Sequence, residues 1–127
     1  MKRLNLVVLG TAGSGKSTLV AGFGEWLKQN TELRVAYANL DPGCDFVPFS
    51  PDFDVRDYFT ISKIMREENL GPNGAMIRAS ELLAQKAQEL ANKLDRMPAE
   101  VLLVDTRVKW RSFFSTAGRK SLNFLKV

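Results

Sequence analysis

The glycine-rich segment GTAGSGKS, residues 10–17, constrains the fold of this chain more than any other stretch. The apolar run LNLVVL precedes it, and KSTLVAGFGEWLKQN, with apolar residues at helical spacing, follows it. A glycine, any four residues and then Gly-Lys-Ser is the pattern of a phosphate-binding loop between a strand and a helix. Because the strand and the helix are both indicated here, an accidental glycine-rich turn is the weaker interpretation.

Each part of this loop has a predicted task. Lys16 would contact the β- and γ-phosphates of a nucleotide, and the Ser17 hydroxyl would bind Mg²⁺. Gly13 and Gly15 would let the backbone turn tightly around the phosphates, since glycine has no Cβ. The predicted nucleotide-binding residues of the loop are Gly10, Thr11, Ala12, Gly13, Ser14, Gly15, Lys16, Ser17 and Thr18.

Three apolar segments, LNLVVLG, LRVAYANLD and EVLLVDT, are typical of strands buried in a parallel sheet. Helices are predicted over residues 16–30, for about 12–15 residues within 51–71, and continuously within 74–97. Asp52 or Asp54 would cap the second helix. An apolar stripe on the last helix is assigned to the core, and it consists of Ile77, Leu82, Leu83, Leu90 and Leu94. The pattern predicts an α/β, three-layer P-loop NTPase fold whose parallel sheet has about three strands.

Two aspartates end predicted strands at the edge of the sheet where the loop should lie. Asp105 is predicted to bind Mg²⁺ directly or through water, and beside the loop this outweighs its reading as a polar residue closing a strand. Asp41 could orient the attacking water or the metal, although an Asp before Pro is also a frequent turn residue. Asp54, Arg56 and Asp57 could form a charged cluster near the phosphates, but helix capping explains the aspartates equally well.

The basic charge of the chain is confined to its last 21 residues. The formal net charge is +4, yet residues 107–127 hold six of the 18 basic side chains and none of the 14 acidic ones. Residues 1–106 therefore carry 12 basic against 14 acidic side chains, a balance of −2, which does not indicate a nucleic-acid partner. One cysteine and no histidine argue against a disulfide framework and a zinc site, and they favour a cytoplasmic location. No apolar segment reaches the length of a membrane span.

Five short segments, in this order, resemble the GPN-loop GTPases. They are GTAGSGKST at 10–18, NLDPG at 39–43, DVRDY at 54–58, GPNGAM at 71–76 and LLVDT at 102–106. The resemblance covers residues 1–106 and is nearest to the archaeal type. It implies a homodimeric P-loop GTPase with a parallel sheet, GTP as substrate, Mg²⁺ as cofactor, and neither a membrane nor a direct nucleic-acid partner.

The resemblance also implies roles for particular residues. In the family, the Gly-Pro-Asn loop of each subunit reaches the nucleotide site of the other, and here that loop is Gly71, Pro72 and Asn73. The catalytic residues carried over by the resemblance and the loop pattern are Asp41, Lys16 and Asn73. The metal ligands carried over in the same way are Ser17, Asp105 and Asp41.

The resemblance changes after Thr106. The family continues DTPGQ, whereas this chain reads DTRVKW, and the sequence contains no Asn-Lys-x-Asp segment after it, the part by which the family reads guanine. When residues 106–120 are back-translated with one choice of codons, a single C inserted after the Thr106 codon gives TPGQMEIFFFHSWEE. We therefore hypothesise that residues 107–127 are an out-of-frame or disordered tail and that residues 1–106 are the N-terminal part of a GTPase domain. The alternative is a basic and aromatic nucleic-acid patch.

Three functions follow from these patterns. The leading one is GTP binding, with Mg²⁺-dependent GTP hydrolysis in the complete family member. An alternative is a P-loop ATPase or kinase, and another is a truncated remnant that binds nucleotide without hydrolysing it. A three-stranded parallel sheet would leave an edge and part of its faces uncovered, so we expect low stability of the isolated chain.

Overall fold

The computed structural model describes residues 3–10, 15–44 and 46–106, and the backbone of residues 123–126. Of the predicted tail, everything except those four residues lies outside the described residues, so its origin in a shifted reading frame stays a hypothesis. The elements, in chain order, are β1 Leu4–Leu9, α1 Lys16–Asn30, β2 Val35–Asn39, β3 Phe53–Asp54, a 3₁₀ turn Val55–Asp57, α2 Ile61–Glu68, α3 Pro72–Gln85, α4 Ala87–Asp95, β4 Val101–Thr106 and β5 Asn123–Lys126.

All five strands form one parallel sheet in the order β3-β2-β4-β1-β5. The predicted α/β fold with a parallel sheet is confirmed, and the three predicted strands are the long ones, β1, β2 and β4. The sequence pattern missed the two strands beside them. Strand β3 has only two residues and β5 has four, so neither is long enough for an alternating pattern to stand out.

Helices cover both faces of the sheet. On one face, α1 contributes Val20 and Leu27 to a cluster with Val8 and Leu103. On the other face, α2, α3 and α4 pack against a larger cluster that includes Val7 and other buried strand residues. Because neighbouring residues of a strand point to opposite faces and both faces are buried, these strands have the nearly continuous apolar sequence from which they were predicted.

The helix expected within residues 51–71 is shorter than predicted. Helix α2 begins after Thr60, whose hydroxyl accepts the N–H of Lys63, and it has eight residues. Asp54 instead caps the 3₁₀ turn by accepting the N–H of Arg56, and Asp52 accepts the N–H of Tyr37 on β2. Both aspartates accept hydrogen bonds from backbone N–H groups, but neither lies at the start of the predicted helix. The assignment of that start was therefore wrong.

The helix expected to run continuously within residues 74–97 is interrupted at Lys86, between α3 and α4. The buried residues of α3 and the start of α4 are spaced by four and include Ala75, Ala79, Leu83 and Ala87. At 3.6 residues per turn, such a row would rotate away from the sheet by about 40° at each step. The interruption at Lys86 falls within this row, between Leu83 and Ala87.

One member of the predicted core stripe lies on the surface. Leu83, Leu90 and Leu94 are buried as expected, and Leu82 is partly buried, but Ile77 is 64% exposed. The prediction gave weight to large apolar residues and overlooked the buried alanines of α3, Ala75 and Ala79. The assignment of Ile77 to the core was therefore wrong.

The carboxyl ends of β1, β2 and β4 meet at one edge of the sheet. Strand β4 lies between the other two, with Thr106 opposite Leu9 and Asp105 opposite Asn39. The loop after β1 leads into α1 at this edge, so topology brings the loop and the strand-end aspartates together. Within the described ranges, no helix is long and apolar enough to cross a membrane.

Candidate nucleotide-binding site

The N-terminus of α1 has the features of an anion-binding site. Gly15 precedes the helix in a left-handed conformation, φ 86°, and among the described residues no side chain caps the first backbone N–H groups. The first turn also contains no acidic residue. Uncapped N–H groups and the positive end of the helix dipole attract phosphate. Gly10 is buried at the end of β1 and Thr18 is exposed, whereas residues 11–14 lie outside the described residues.

Lys16 is buried between two carboxylates. Its Nζ lies 3.0 Å from Oδ1 of Asp105 and 3.8 Å from Oδ2 of Asp41. The side chain of Lys16 is 7% exposed, and those of Asp41 and Asp105 are 5% and 0% exposed. A buried ammonium is tolerated in a protein only with such partners. The structure thus brings together three of the residues that the sequence predicted for the site.

Ser17 and Asp105 provide oxygen atoms suited to Mg²⁺. The Ser17 hydroxyl donates a hydrogen bond to Oδ2 of Asp105. Oδ1 of Asp105 is buried and receives no hydrogen bond from the part of the chain that the structure describes, because the nearby Lys16 ammonium forms an ion pair without hydrogen-bond geometry. No group of three His, Cys, Asp or Glu side chains in the described part of the chain could hold a metal alone. The residues therefore fit Mg²⁺ bound by a hydroxyl, a carboxylate and nucleotide phosphates.

Asp41 uses one carboxylate oxygen in a turn and points the other toward Lys16. Its Oδ1 accepts the N–H of Gly43 at 3.0 Å, which closes the turn expected of an Asp before Pro. Its Oδ2 faces Lys16. One carboxylate oxygen thus shapes the turn and the other faces the charged cluster. The catalytic role of Asp41 stays a prediction.

A second network of polar and charged side chains, next to the turn at residues 41–44, joins Asn39, Asp54 and Arg56. Nδ2 of Asn39 donates to Oδ1 of Asp54 at 3.1 Å, and Nη2 of Arg56 donates to Oδ2 of Asp54 at 2.6 Å. Burial by itself raises the pKa of Asp54, but the hydrogen bonds from Arg56 and Asn39 outweigh it and leave the pKa below its usual value. Hydrogen bonding to Asp54 likewise raises the pKa of Arg56. Asp57 is exposed, and its charge also raises the pKa of Arg56, as the smallest of the effects on that group.

Asn39 was not among the predicted site residues. It is fully buried at the end of β2, and its Oδ1 accepts the N–H of Asp41 at 3.0 Å. An amide in an otherwise apolar strand is a signal that sequence reading could have used, because a buried polar side chain needs hydrogen-bond partners.

The Gly-Pro-Asn segment lies at the start of α3. Gly71 is the N-cap and Pro72 is the first helical residue, and all three residues of the segment are exposed. Pro72 lines a cavity of about 630 Å³ that it shares with Pro42, Gly43, Cys44 and Arg56. Within the described residues, no hydrogen bond or ion pair joins Asn73 to Lys16, Asp41 or Asp105. A single chain therefore does not bring Asn73 into the charged cluster.

Comparisons with known proteins found similar sequences in one family. Residues 8–117 match the family described as "Conserved hypothetical ATP binding protein". The chain is 43% identical over 110 residues to GPN-loop GTPase PAB0955 of Pyrococcus abyssi, a match covering 85% of this chain and 43% of that protein. It is 36% identical over 104 residues to GPN-loop GTPase 3 of Aspergillus fumigatus, which covers 82% of this chain and 35% of that protein.

A solved structure agrees as well. The crystal structure of PAB0955, described as a GTPase in apo form, superposes with a TM-score of 0.76 at 41% identity and covers 87% of this chain and 44% of that one. The chain thus spans less than half the length of these relatives. The family match, the sequence identity and the structural similarity agree, so the chain belongs to the GPN-loop GTPase family.

Proposed function

We propose that this chain binds GTP with Mg²⁺ through residues 10–18 and that the complete protein hydrolyses GTP. The observation that carries the proposal is the buried cluster of Lys16, Asp41 and Asp105 beside Ser17, at the uncapped start of α1. These three charged side chains alone leave a formal charge of −1, which a bound cation would balance. The single cysteine of the chain supports a cytoplasmic location as part of the same proposal.

The proposed chemistry relies on positioning and charge. Lys16 would turn its ammonium from the two carboxylates to the β- and γ-phosphates, and the loop N–H groups would hold the remaining phosphate oxygens. Ser17 and Asp105 would hold Mg²⁺, which neutralises charge developing on the phosphates. Oδ2 of Asp41 would accept a hydrogen bond from the attacking water and so orient it in line with the leaving group.

Homodimerisation through the Gly-Pro-Asn loop is a further part of the proposal. Asn73 is exposed and lies outside the charged cluster of its own chain, so it is available to a second copy. In sedimentation experiments with saturating Mg²⁺ and GTP, we expect dimers of the natural chain and weaker association of Asn73→Ala. Equal association of both proteins would contradict this part.

The binding proposal is tested by titrating Mg²⁺-GTP into the natural chain, Lys16→Ala and a matched control, Lys63→Ala. Lys63 is an exposed lysine on α2 that pairs with Glu67 at 3.9 Å. Charged hydrogen bonds contribute about 1.5–3 kcal/mol each, so Lys16→Ala should weaken binding by roughly a hundredfold. Lys63→Ala should bind like the natural chain. Nucleotide binding that is absent from the natural chain or unaffected by Lys16→Ala would overturn the proposal.

A second candidate nucleotide is ATP, because the matching family is described as ATP binding. The names of the relatives favour GTP. Competition between the two nucleotides for the same chain decides between them, and tighter ATP binding would favour the ATPase or kinase alternative. Release of phosphate from bound GTP, measured in parallel, separates a hydrolysing protein from a remnant that only binds.

A further inference from the structure

The turn at residues 41–44, which carries the Asp41 carboxylate, is held at both ends by side chains from other positions. At its start, Oδ1 of Asn39 accepts the N–H of Asp41 at 3.0 Å. At its end, Nη1 of Arg56 donates to the carbonyl oxygen of Cys44 at 3.2 Å. The turn also has an internal bond, from the N–H of Gly43 to Asp41.

Asp54 connects Asn39 and Arg56, the two residues that bind the ends of the turn. Its Oδ1 accepts hydrogen bonds from Asn39 at 3.1 Å and from Nε of Arg56 at 3.0 Å, and its Oδ2 accepts from Nη2 of Arg56 at 2.6 Å. Planar guanidinium and carboxylate groups joined by several bonds have a fixed mutual geometry, which a single contact does not give. Asp54 therefore ties the end of β2 to the arginine that holds the end of the turn.

We infer that Asp54 and Arg56 are positioning residues that hold the Asp41 carboxylate toward Lys16. Neither residue forms part of the Lys16, Asp41 and Asp105 cluster, so they act through the backbone of the turn. The inference rests on the proposed function, since positioning has a consequence only if Asp41 acts on a bound nucleotide. A displacement of about 1 Å in a reacting group can slow a reaction a hundredfold, which is why such a support matters.

The single cysteine of the chain, Cys44, provides a local probe of the turn that needs no nucleotide. Its Sγ donates to the carbonyl oxygen of Phe46 at 2.9 Å. Burial raises the pKa of the Cys44 thiol, Asp41 raises it further, and the Arg56 cation opposes both. Removing the cation alone would therefore slow alkylation by iodoacetamide at pH 8, because less thiolate would be present. A loosened turn would speed it.

The first experiment compares alkylation of Cys44 in the natural chain, Arg56→Ala, Arg56→Lys and the control Arg78→Ala. Arg78 also pairs with two carboxylates, those of Glu68 and Glu81, but on the helices α2 and α3. Arg56→Lys keeps the positive charge but loses the planar guanidinium group. It therefore tests whether the guanidinium contacts to Asp54 and Cys44, rather than the charge, hold the turn. We expect both Arg56 variants to react at least about threefold faster, and Arg78→Ala to react like the natural chain. Unchanged or slower alkylation in both Arg56 variants overturns the inference.

The second experiment asks whether Arg56 acts through Asp41. Binding of Mg²⁺-GTP is measured for Arg56→Lys, Asp41→Ala and the double variant, with GDP in EDTA as the reference ligand. Arg56→Lys should weaken Mg²⁺-GTP binding by about fivefold to tenfold, leave GDP binding unchanged, and add nothing in the Asp41→Ala background. An equal loss in both backgrounds, or an equal loss for GDP, shows a general structural effect and overturns the inference.

The two experiments separate this inference from the proposed function. If the natural chain binds no nucleotide, the proposed function fails, and with it the consequence assigned to the positioning of Asp41. If Cys44 alkylation does not respond to Arg56 while Mg²⁺-GTP still binds, the positioning inference fails and the proposed function stands.

Discussion

Two glycines in α1 should respond to the same substitution in opposite directions. An ideal Cβ at Gly22 would have no other atom within 4 Å, apart from its own helix and neighbours. Replacement by alanine there should stabilise the protein by about 0.5–1 kcal/mol, because glycine weakens a helix by that amount relative to alanine. Gly22→Ala therefore measures the helix propensity alone.

At Gly24 the same gain is opposed by a steric overlap. An ideal Cβ would lie 2.4 Å from Oη, 2.5 Å from Cε1 and 2.7 Å from Cζ of Tyr37, where non-bonded atoms need about 3.5–4.0 Å. The tyrosine is 4% exposed, its ring stacks on Phe49 at 5.1 Å, and Nζ of Lys28 lies 4.6 Å from the ring centre. The ring cannot move aside without losing these contacts, so the cost falls at the upper end of the roughly 1–3 kcal/mol typical of overpacking.

The net effect of Gly24→Ala is then a loss of about 1–2 kcal/mol, and the two variants should differ by roughly 2–3 kcal/mol. Urea unfolding followed by circular dichroism measures this difference. With a denaturant dependence of about 1–3 kcal/mol per molar urea, the midpoints should lie about 1–2 M apart. Equal midpoints for the two variants would refute the close approach of α1 to Tyr37 from which the difference is derived.

Three further outcomes are expected. Asp105→Asn should weaken Mg²⁺-GTP binding by about a hundredfold. A nucleotide concentration that stabilises the natural chain against thermal unfolding by about 2.7 kcal/mol should therefore have almost no effect on the variant. Gly15→Ala should lower the free energy of unfolding in urea by about 1–2 kcal/mol, because an L side chain is strained at φ 86°, and Gly15→Asn should lose less. The Asp54 carboxylate, whose pKa is lowered by folding, stabilises the chain above the pKa of the unfolded state and loses this contribution as the pH falls. The difference in unfolding free energy between the natural chain and Asp54→Asn should therefore shrink from pH 7 to about pH 3, and a constant difference would contradict the pairing.

The parts of the structure that the sequence predicted well have strong local signals. The loop pattern requires a strand before it and a helix after it, so the pattern and the apolar periodicity independently indicated β1 and α1. Strand β4 was predicted from its apolar run, and all six of its residues are buried. Asp105 followed from its place at the end of that strand. In each case a few neighbouring residues contain the information.

The parts that the sequence missed depend on residues far apart in the chain. The sequence around Lys86 contains neither Gly nor Pro, so the break between α3 and α4 has no local signal of the usual kind. Arg56 contacts Cys44 twelve positions earlier, and Asp54 contacts Asn39 fifteen positions earlier. The charges of these residues are visible in the sequence, but their pairing is set by the alignment of β2 with β3.

The charged cluster itself argues for binding rather than for stability. Burying charges is costly, and well-packed apolar residues at Lys16, Asp41 and Asp105 would often be as stable or more so. The cluster also contains two carboxylates against one ammonium, and one oxygen of Asp105 accepts no hydrogen bond from any described residue. Asp105→Asn removes the excess charge, and its amide oxygen can lie beside the Lys16 ammonium while its amide nitrogen donates to the Ser17 hydroxyl. The stability of the nucleotide-free chain should therefore be kept or increased by the substitution that weakens Mg²⁺-GTP binding, and these opposite signs are what a site built for a ligand predicts.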